Sequence, residues 1–522
     1  MFLVAALLLL AGVIVYGPHV IEGGFTIDDW SHAATAAHPP QNLLSHYWSF
    51  TSNRPVLVGY VPLTHLVFGT EAWLHHAWSI MLAVAMSTAL YAVLRRLSIR
   101  PAHAGAIALL VLLFPWSDAT RFWATASHVS LSIALGLTGI VLALRGLDAR
   151  ADGRPRAGLA LHAAAVALYA ISVLTYEIAG VVLLLAGTLY FTRAGWPVVR
   201  LRWAMDIAAI LPCLAWTALR ADRERPSLAQ MLDQAEAIAD GGATVLAFAA
   251  LPFGAVGRQT ILTGLVTVVT AAILVWALLP RDDDSRPILG RWLAMVGGGL
   301  AIVIAGWVLY VPADPYYNPA QPGVGNRVNA MAAIGLTIVV YAVIVLSVTL
   351  LFRGLPHRAR AAAALSAVLA AMLAIGYADK TRDDQQAWAR ATTAANDVLA
   401  AITSAIPDPP VGSTIYTFGH PGSERPGILV FGFTWDLQGA VRLEYNDPGV
   451  TAYPILEGTT IDCQDELIAP VGPGWVPEWH GGRYGLTYFV DAQSAVAERI
   501  DSKEACLSTS SSFIPGPVTR TP

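Results

Sequence analysis

The sequence predicts a polytopic α-helical membrane protein that ends in a small α/β domain. Three observations carry this. The mean hydropathy is +0.55. Only 13% of the 522 residues are charged, about half the fraction usual in a soluble domain. The apolar residues also fall in long blocks, each near the roughly 20 residues that a spanning helix needs.

About eleven such blocks follow one another along the chain. They lie near 2–22, 72–94, 101–115, 127–146, 158–174, 177–192, 203–219, 259–280, 292–311, 329–352 and 359–378. The first has neither a basic n-region nor an A-x-A cleavage site, so it reads as a helix and not as a leader. Arginine sets the orientation. Loops with Arg95, Arg96 and Arg100, then Arg145, Arg150, Arg154 and Arg156, then Arg193, Arg200 and Arg202, then Arg281, Arg286 and Arg291, then Arg353, Arg358 and Arg360 alternate with arginine-poor loops. The positive-inside rule makes the first set cytoplasmic. The N-terminus is then cytoplasmic, and residues 23–71 and the chain after 378 lie outside a multi-pass cell membrane protein. Residues 243–257, "ATVLAFAALPFGAVG", are too short to cross and read as re-entrant or interfacial.

At 379 the composition turns polar, dividing the chain into a membrane part, 1–378, and an extracytoplasmic α/β domain, 379–522. "DKTRDDQQAWARATTAANDVLAAITSAI" reads as an amphipathic helix. "GSTIYTFG", "GILVFGF", "AVRLEYN" and "YGLTYFV" read as short strands between Gly/Pro turns. The final stretch, "STSSSFIPGPVTRTP", reads as a loose tail. Cys213 falls in an apolar block and reads as packing. Cys463 and Cys506, in the polar part, suit a disulfide if that part is outside the cytoplasm.

Chemistry-bearing residues concentrate in the outer loops. The stretch "GFTIDDWSH" places Asp28 and Asp29 where the first block ends. The rest of that loop holds Arg54, His32 and His65, with Trp and Tyr suited to helices lying at an interface. The second loop, "FPWSDATRFWATASH", carries Asp118, Arg121 and His128. Tyr176 and Glu177 sit between two blocks with almost no polar spacer, and a carboxylate there must face a cavity or a partner and not lipid. The last outer loop, "YVPADPYYNPAQPGVGNRVNA", holds Asp314, Tyr316, Tyr317, Asn326 and Arg327. Taken singly, each fits a plainer role: solvated acids, arginines at headgroups, packed histidines, interfacial aromatics. Four loops converging at one face predict a water-filled cavity there.

The layout resembles the C-type (GT-C) membrane glycosyltransferases, which use polyprenyl-phosphate-linked sugars. It does so through the acidic pair in "IDDW", the apolar loop segment "NRPVLVGYVPLTHLVFG", the helix count and the soluble outer domain; "GVGNRVN" and "TYE" are similar to stretches in actinobacterial members. The resemblance implies transfer of a sugar to a cell-envelope glycan or lipid acceptor at the outer face. It carries over Asp28 and Asp29 as the acidic motif, one a general base and the other orienting the acceptor or a divalent cation. Such a transfer needs cations or oriented donors for the leaving phosphate. Lysine occurs only at Lys380 and Lys503, so Arg54, Arg121 and Arg327 are the candidates, with Tyr176, Glu177, His128 and Asn326 as further binding residues. Trp388, Trp435, Trp475 and Trp479 are candidates for stacking on sugar rings. The partners implied are the lipid-linked donor, the acceptor and the bilayer; nothing in a net charge of −4 points to nucleic acid. A lipid or saccharide transporter would place charges at mid-helix, and an assembly scaffold would not gather acids and arginines from separate loops.

Overall fold

The computed structural model describes residues 1–221, 226–254, 256–281, 283–313, 317–353, 358–471 and 481–517. Asp314, Tyr316, Trp475 and Trp479 lie outside the described residues. The first helices are α1 (Phe2–Glu22), α2 (Asp28–Ala37), α3 (Leu43–Thr51), α4 (Leu57–Phe68), α5 (Ala72–Arg96), α6 (Pro101–Leu112), α7 (Ala119–Phe122), α8 (Ser127–Ala151) and α9 (Pro155–Thr175). Next come α10 (Gly180–Leu184), α11 (Gly187–Tyr190), α12 (Trp196–Arg220), α13 (Leu228–Ala250), α14 (Arg258–Leu278), α15 (Ser285–Trp307), α16 (Ala330–Leu351) and α17 (Arg358–Ala405).

Among the described residues, eight helical segments are long and apolar enough to cross a membrane. They coincide with eight of the eleven predicted blocks, which makes this a multi-pass membrane protein. The other three blocks are also helical but differ in kind. The block at 101–115 is α6, only 12 residues long. It stops before Pro115, whose missing N–H leaves Val111 O without its helical partner, and side chains take the freed carbonyls: the Tyr16 hydroxyl donates to Leu112 O at 2.9 Å and Arg121 to Val111 O at 3.1 Å. The block at 177–192 breaks into short turns over Glu177–Tyr190. The block at 203–219 lies inside the 25-residue α12. There Asp206 is buried, accepting from the Tyr190 hydroxyl at 2.6 Å and facing His162 at 3.2 Å, because a carboxylate at that depth needs partners.

The stretch 243–257 is not a separate short element. Its first eight residues close α13, a 23-residue helix that starts at a capping box made by Ser227 and Gln230, and Pro252 follows its end.

Beyond the membrane part lie β1 (Thr414–Phe418), β2 (Ser423–Arg425), β3 (Ile428–Leu429), α18 (Thr434–Glu444), β4 (Thr451–Pro454), β5 (Thr460–Cys463), β6 (Leu467–Val471), β7 (Gly482–Arg483), β8 (Thr487–Asp491), β9 (Val496–Ile500) and α19 (Lys503–Ser510). One sheet has the order β4-β1-β8-β9, parallel at β4–β1–β8 and antiparallel at β8–β9. β5-β6-β7 form a second, antiparallel sheet. "AVRLEYN", expected as a strand, lies almost wholly in α18. Its Ala440 and Val441 are buried with Leu437 at helical spacing, and Asp436 accepts from Gly432 N at 3.0 Å and Phe433 N at 3.2 Å to start the helix. Cys463 and Cys506 are bonded. The expected loose tail is docked as far as 517: Gly516 N donates to Ile455 O at 2.9 Å and Phe513 packs on Phe418.

Two features tie this region to the rest. The 48-residue α17 runs unbroken through 378/379. A buried core continuous with that of the helices takes in Ile415, Ile428, Phe431, Leu437, Ala440 and Val441.

Candidate active site

The acidic pair opens α2, where the first turn of a helix favours negative charge. The residue before it is strained: Ile27 has φ 47° and ψ −118°, a conformation costing on the order of 1–3 kcal/mol for a β-branched residue. Hydrogen bonds hold the turn shut. Asp29 N donates to Thr26 O at 3.0 Å, and Thr26 N donates to Asp29 Oδ2 at 3.1 Å. Asp29 is 2% exposed. Its Oδ1 accepts from Thr125 N at 2.7 Å and from the Thr125 hydroxyl at 2.6 Å. Burial pushes its carboxyl up to about 7 against the pull of these bonds. A small cavity of about 20 Å³, lined by Asp29, Tyr60, His65, Trp78 and Ser127, lies beside it, enough for about one water.

Asp28 is half-buried and differently held. Its Oδ1 accepts from Trp435 Nε1, a residue of α18, at 3.0 Å. Burial raises this carboxyl; the Trp435 bond and the nearby Arg327 charge work the other way. The contact requires α18 to lie almost on α2. Gly439 permits it, since a Cβ there would come within 2.6 Å of Ser31 N. The Trp435 ring that donates to Asp28 stacks on Phe433, the ring centres 4.4 Å apart.

Arg327 lies in the loop that enters α16. Its guanidinium sits 5.3 Å over Trp123 and 5.7 Å over Tyr317 and donates to Val324 O at 2.8 Å. Among the described residues it has no carboxylate ion pair. Its loop is pinned twice. Asn326 donates to Asp118 Oδ1 at 2.5 Å and accepts from Ala119 N at 3.1 Å. Val324 N donates to Gly427 O at 2.8 Å, a close approach at which both Gly323 (φ 62°) and Gly427 (φ 76°) take left-handed conformations.

The other candidates divide. Arg54 and Glu177 meet each other in a two-pronged pair of 2.7 and 2.9 Å, with the Arg54 guanidinium 4.2 Å over Tyr176. The cost of a carboxylate between two apolar blocks is thus met by an arginine 123 residues away. His128 is buried against Tyr176, ring to ring at 5.1 Å, with Nδ1 on Thr125 O. Arg121 is 2% exposed and donates to Ser117 O at 2.9 Å as well as to Val111 O, so it holds its loop together. Trp388 is core, packed on His19 and Phe122. His32 and His65, near the pair, are kept neutral: burial lowers them to about 3 and about 4. Sequence reasoning missed Thr125, Tyr60 and Trp78; no local signal marks them. Among the described residues no group of three or more His, Cys, Asp or Glu side chains is arranged to hold a metal ion, so Asp28 and Asp29 have no third ligand of that kind.

Two solved structures show a distant similarity to the chain. Over 85% of its length the chain is similar to the Archaeoglobus fulgidus oligosaccharyltransferase tethered with an acceptor peptide, with TM-score 0.43 and 11% identity. It spans 63% of that protein's length. Over 86% of its length it is similar to ArnT from Cupriavidus metallidurans bound to undecaprenyl phosphate, covering 85% of that chain, with TM-score 0.42 and 14% identity. No protein-family model and no curated protein matches the sequence. What the site can do is decided by this chain's own residues.

Proposed function

We propose that the protein is a membrane glycosyltransferase. It moves a sugar from a polyprenyl-phosphate donor to a cell-envelope glycan or lipid acceptor on the extracytoplasmic face. The single observation that carries this is the pairing of Asp28, presented by a strained turn with one carboxylate oxygen uncommitted, with a nearby guanidinium, that of Arg327, which has no ion-pair partner among the described residues. In the reaction, the acceptor hydroxyl oxygen bonds to the anomeric carbon. Its proton passes to Asp28. The bond from that carbon to the phosphate oxygen breaks, and its electron pair leaves with the lipid phosphate, whose charge Arg327 offsets. Asp29, with both oxygens engaged, positions the turn. Geometry favours Asp28 as the base even though Asp29 has the carboxyl near neutrality, because a base must first reach its proton.

The test is Asp28→Asn in reconstituted membranes with lipid-phosphate sugars. An amide oxygen can still accept from Trp435, so the fold is kept. Transfer is expected to fall by about 10²–10⁴, the usual contribution of a general base. Wild-type turnover in that variant removes Asp28 from the chemistry. Arg327→Ala is expected to raise the donor KM; an unchanged KM assigns Arg327 to structure.

A further inference from the structure

A second hollow, of about 320 Å³, opens at the far end of the helices from Asp28 and Asp29. Its place follows from the chain path. The start of α5 is tied to the acidic loop, where His76 Nε2 meets Gly24 O at 3.1 Å. Arg100 follows the other end of that 25-residue helix, about 37 Å away at 1.5 Å per residue. The volume is within the range of ligand sites, about 300–1,000 Å³.

Its lining is divided by chemistry. Ile99, Ile288, Trp292, Val345 and Phe352 make apolar walls, while Arg100 and Arg291 stand exposed at the opening. Neither arginine has a carboxylate partner among the described residues. The acids just before the lining Ser285 are spent elsewhere: Asp283 accepts from Ser285 N at 2.7 Å and pairs with Arg353 at 3.8 Å, and Asp284 is also engaged. His103, also on the wall, is fixed by the Tyr341 hydroxyl at 2.8 Å and by Trp292.

We propose that this hollow binds an anionic phospholipid of the surrounding bilayer, its phosphodiester on Arg100 and Arg291 and an acyl chain along Trp292, Val345 and Phe352. A free inorganic anion leaves the apolar walls wet. An uncharged lipid leaves two guanidinium groups unanswered. Basic pockets between membrane helices on the arginine-rich side suit an anionic headgroup. A donor phosphate held here is a bilayer away from Asp28, so the occupant is a structural lipid and not the reacting one.

The experiment is native mass spectrometry of the full-length protein, with phosphatidylglycerol and phosphatidylcholine titrated separately. Phosphatidylglycerol is expected to be retained preferentially. In the Arg100→Ala/Arg291→Ala double variant its retention should weaken by about 30-fold, with phosphatidylcholine unaffected. Ala363→Trp, which fills the hollow and leaves both arginines, should displace phosphatidylglycerol too, and so covers the case in which the double variant fails to fold. Equal retention of the two lipids, or phosphatidylglycerol retention unchanged in either folded variant, overturns the proposal. So does undecaprenyl phosphate outcompeting phosphatidylglycerol at equal concentration, which would make the occupant the carrier.

Discussion

Replacing Trp435 by Phe removes one hydrogen bond from Asp28 and little else. The Phe433 partner at 4.4 Å still has a ring to stack on, and α18 keeps its seat on α2 through Gly439. The bond favours the ionised carboxylate, so its loss raises the Asp28 pKa. A hydrogen bond to a charged group contributes about 1.5–3 kcal/mol, and about 1.36 kcal/mol corresponds to one pKa unit. Asp28 is only half-buried, so water replaces part of what is lost and the lower end applies: about one unit. The assay is the pH dependence of kcat/KM for sugar transfer, which reports the free enzyme. The acid limb is expected to move up by about one pH unit, with the alkaline plateau kept. An acid limb that stays where it is, at unchanged Tm, refutes both the role of Asp28 as the base and the role of Trp435 in tuning it.

Asp29 gives a second pH signature. Its carboxyl is raised from 3.8 to about 7, so between these values the folded chain holds a proton that the unfolded chain has released. Stability therefore falls as pH rises from about 4 to 7 and then levels. In Asp29→Asn that pH-dependent component should vanish from the Tm profile in detergent, and an identical slope in the variant contradicts the burial assignment. Gly439→Ala should push α18 off α2, at about 1–3 kcal/mol of overpacking. The expected outcome is faster limited proteolysis of the C-terminal region and lost transfer, and normal activity would mean that the contact is dispensable. Reducing the Cys463–Cys506 bond, which closes 43 residues, should destabilise the sheet region by about 4 kcal/mol on the chain-entropy account. Denaturant titration of the Cys463→Ser/Cys506→Ser variant measures it, and an unchanged midpoint counts against the linkage.

The membrane helices were legible because hydrocarbon demands long apolar runs, and such runs stay visible without knowledge of their neighbours. α6 and the turns after Glu177 are shorter than their apolar blocks, because apolar composition does not record where a helix ends. The acidic pair was legible because two carboxylates interrupt an apolar context. Its partners were not: Thr125 is 96 residues from Asp29, and Trp435 is 407 from Asp28. The same distance effect hid the Arg54–Glu177 pairing, so residues read as separate binding groups turned out to neutralise one another. In α18, the short run "AVRLEYN" matched strand propensity, whereas the cap at Asp436 lay just upstream of the window. Local pattern was outweighed by a boundary signal.

The unbroken α17 has a mechanical consequence. Its 48 residues make a rod of about 72 Å, roughly half of it standing clear of the hydrocarbon. The C-terminal sheet region is carried on a stiff post, not tethered by a hinge. In the proposed transfer, room for an incoming sugar comes from small shifts of α18 and its two aromatic rings, while the post fixes the height of the site relative to the bilayer.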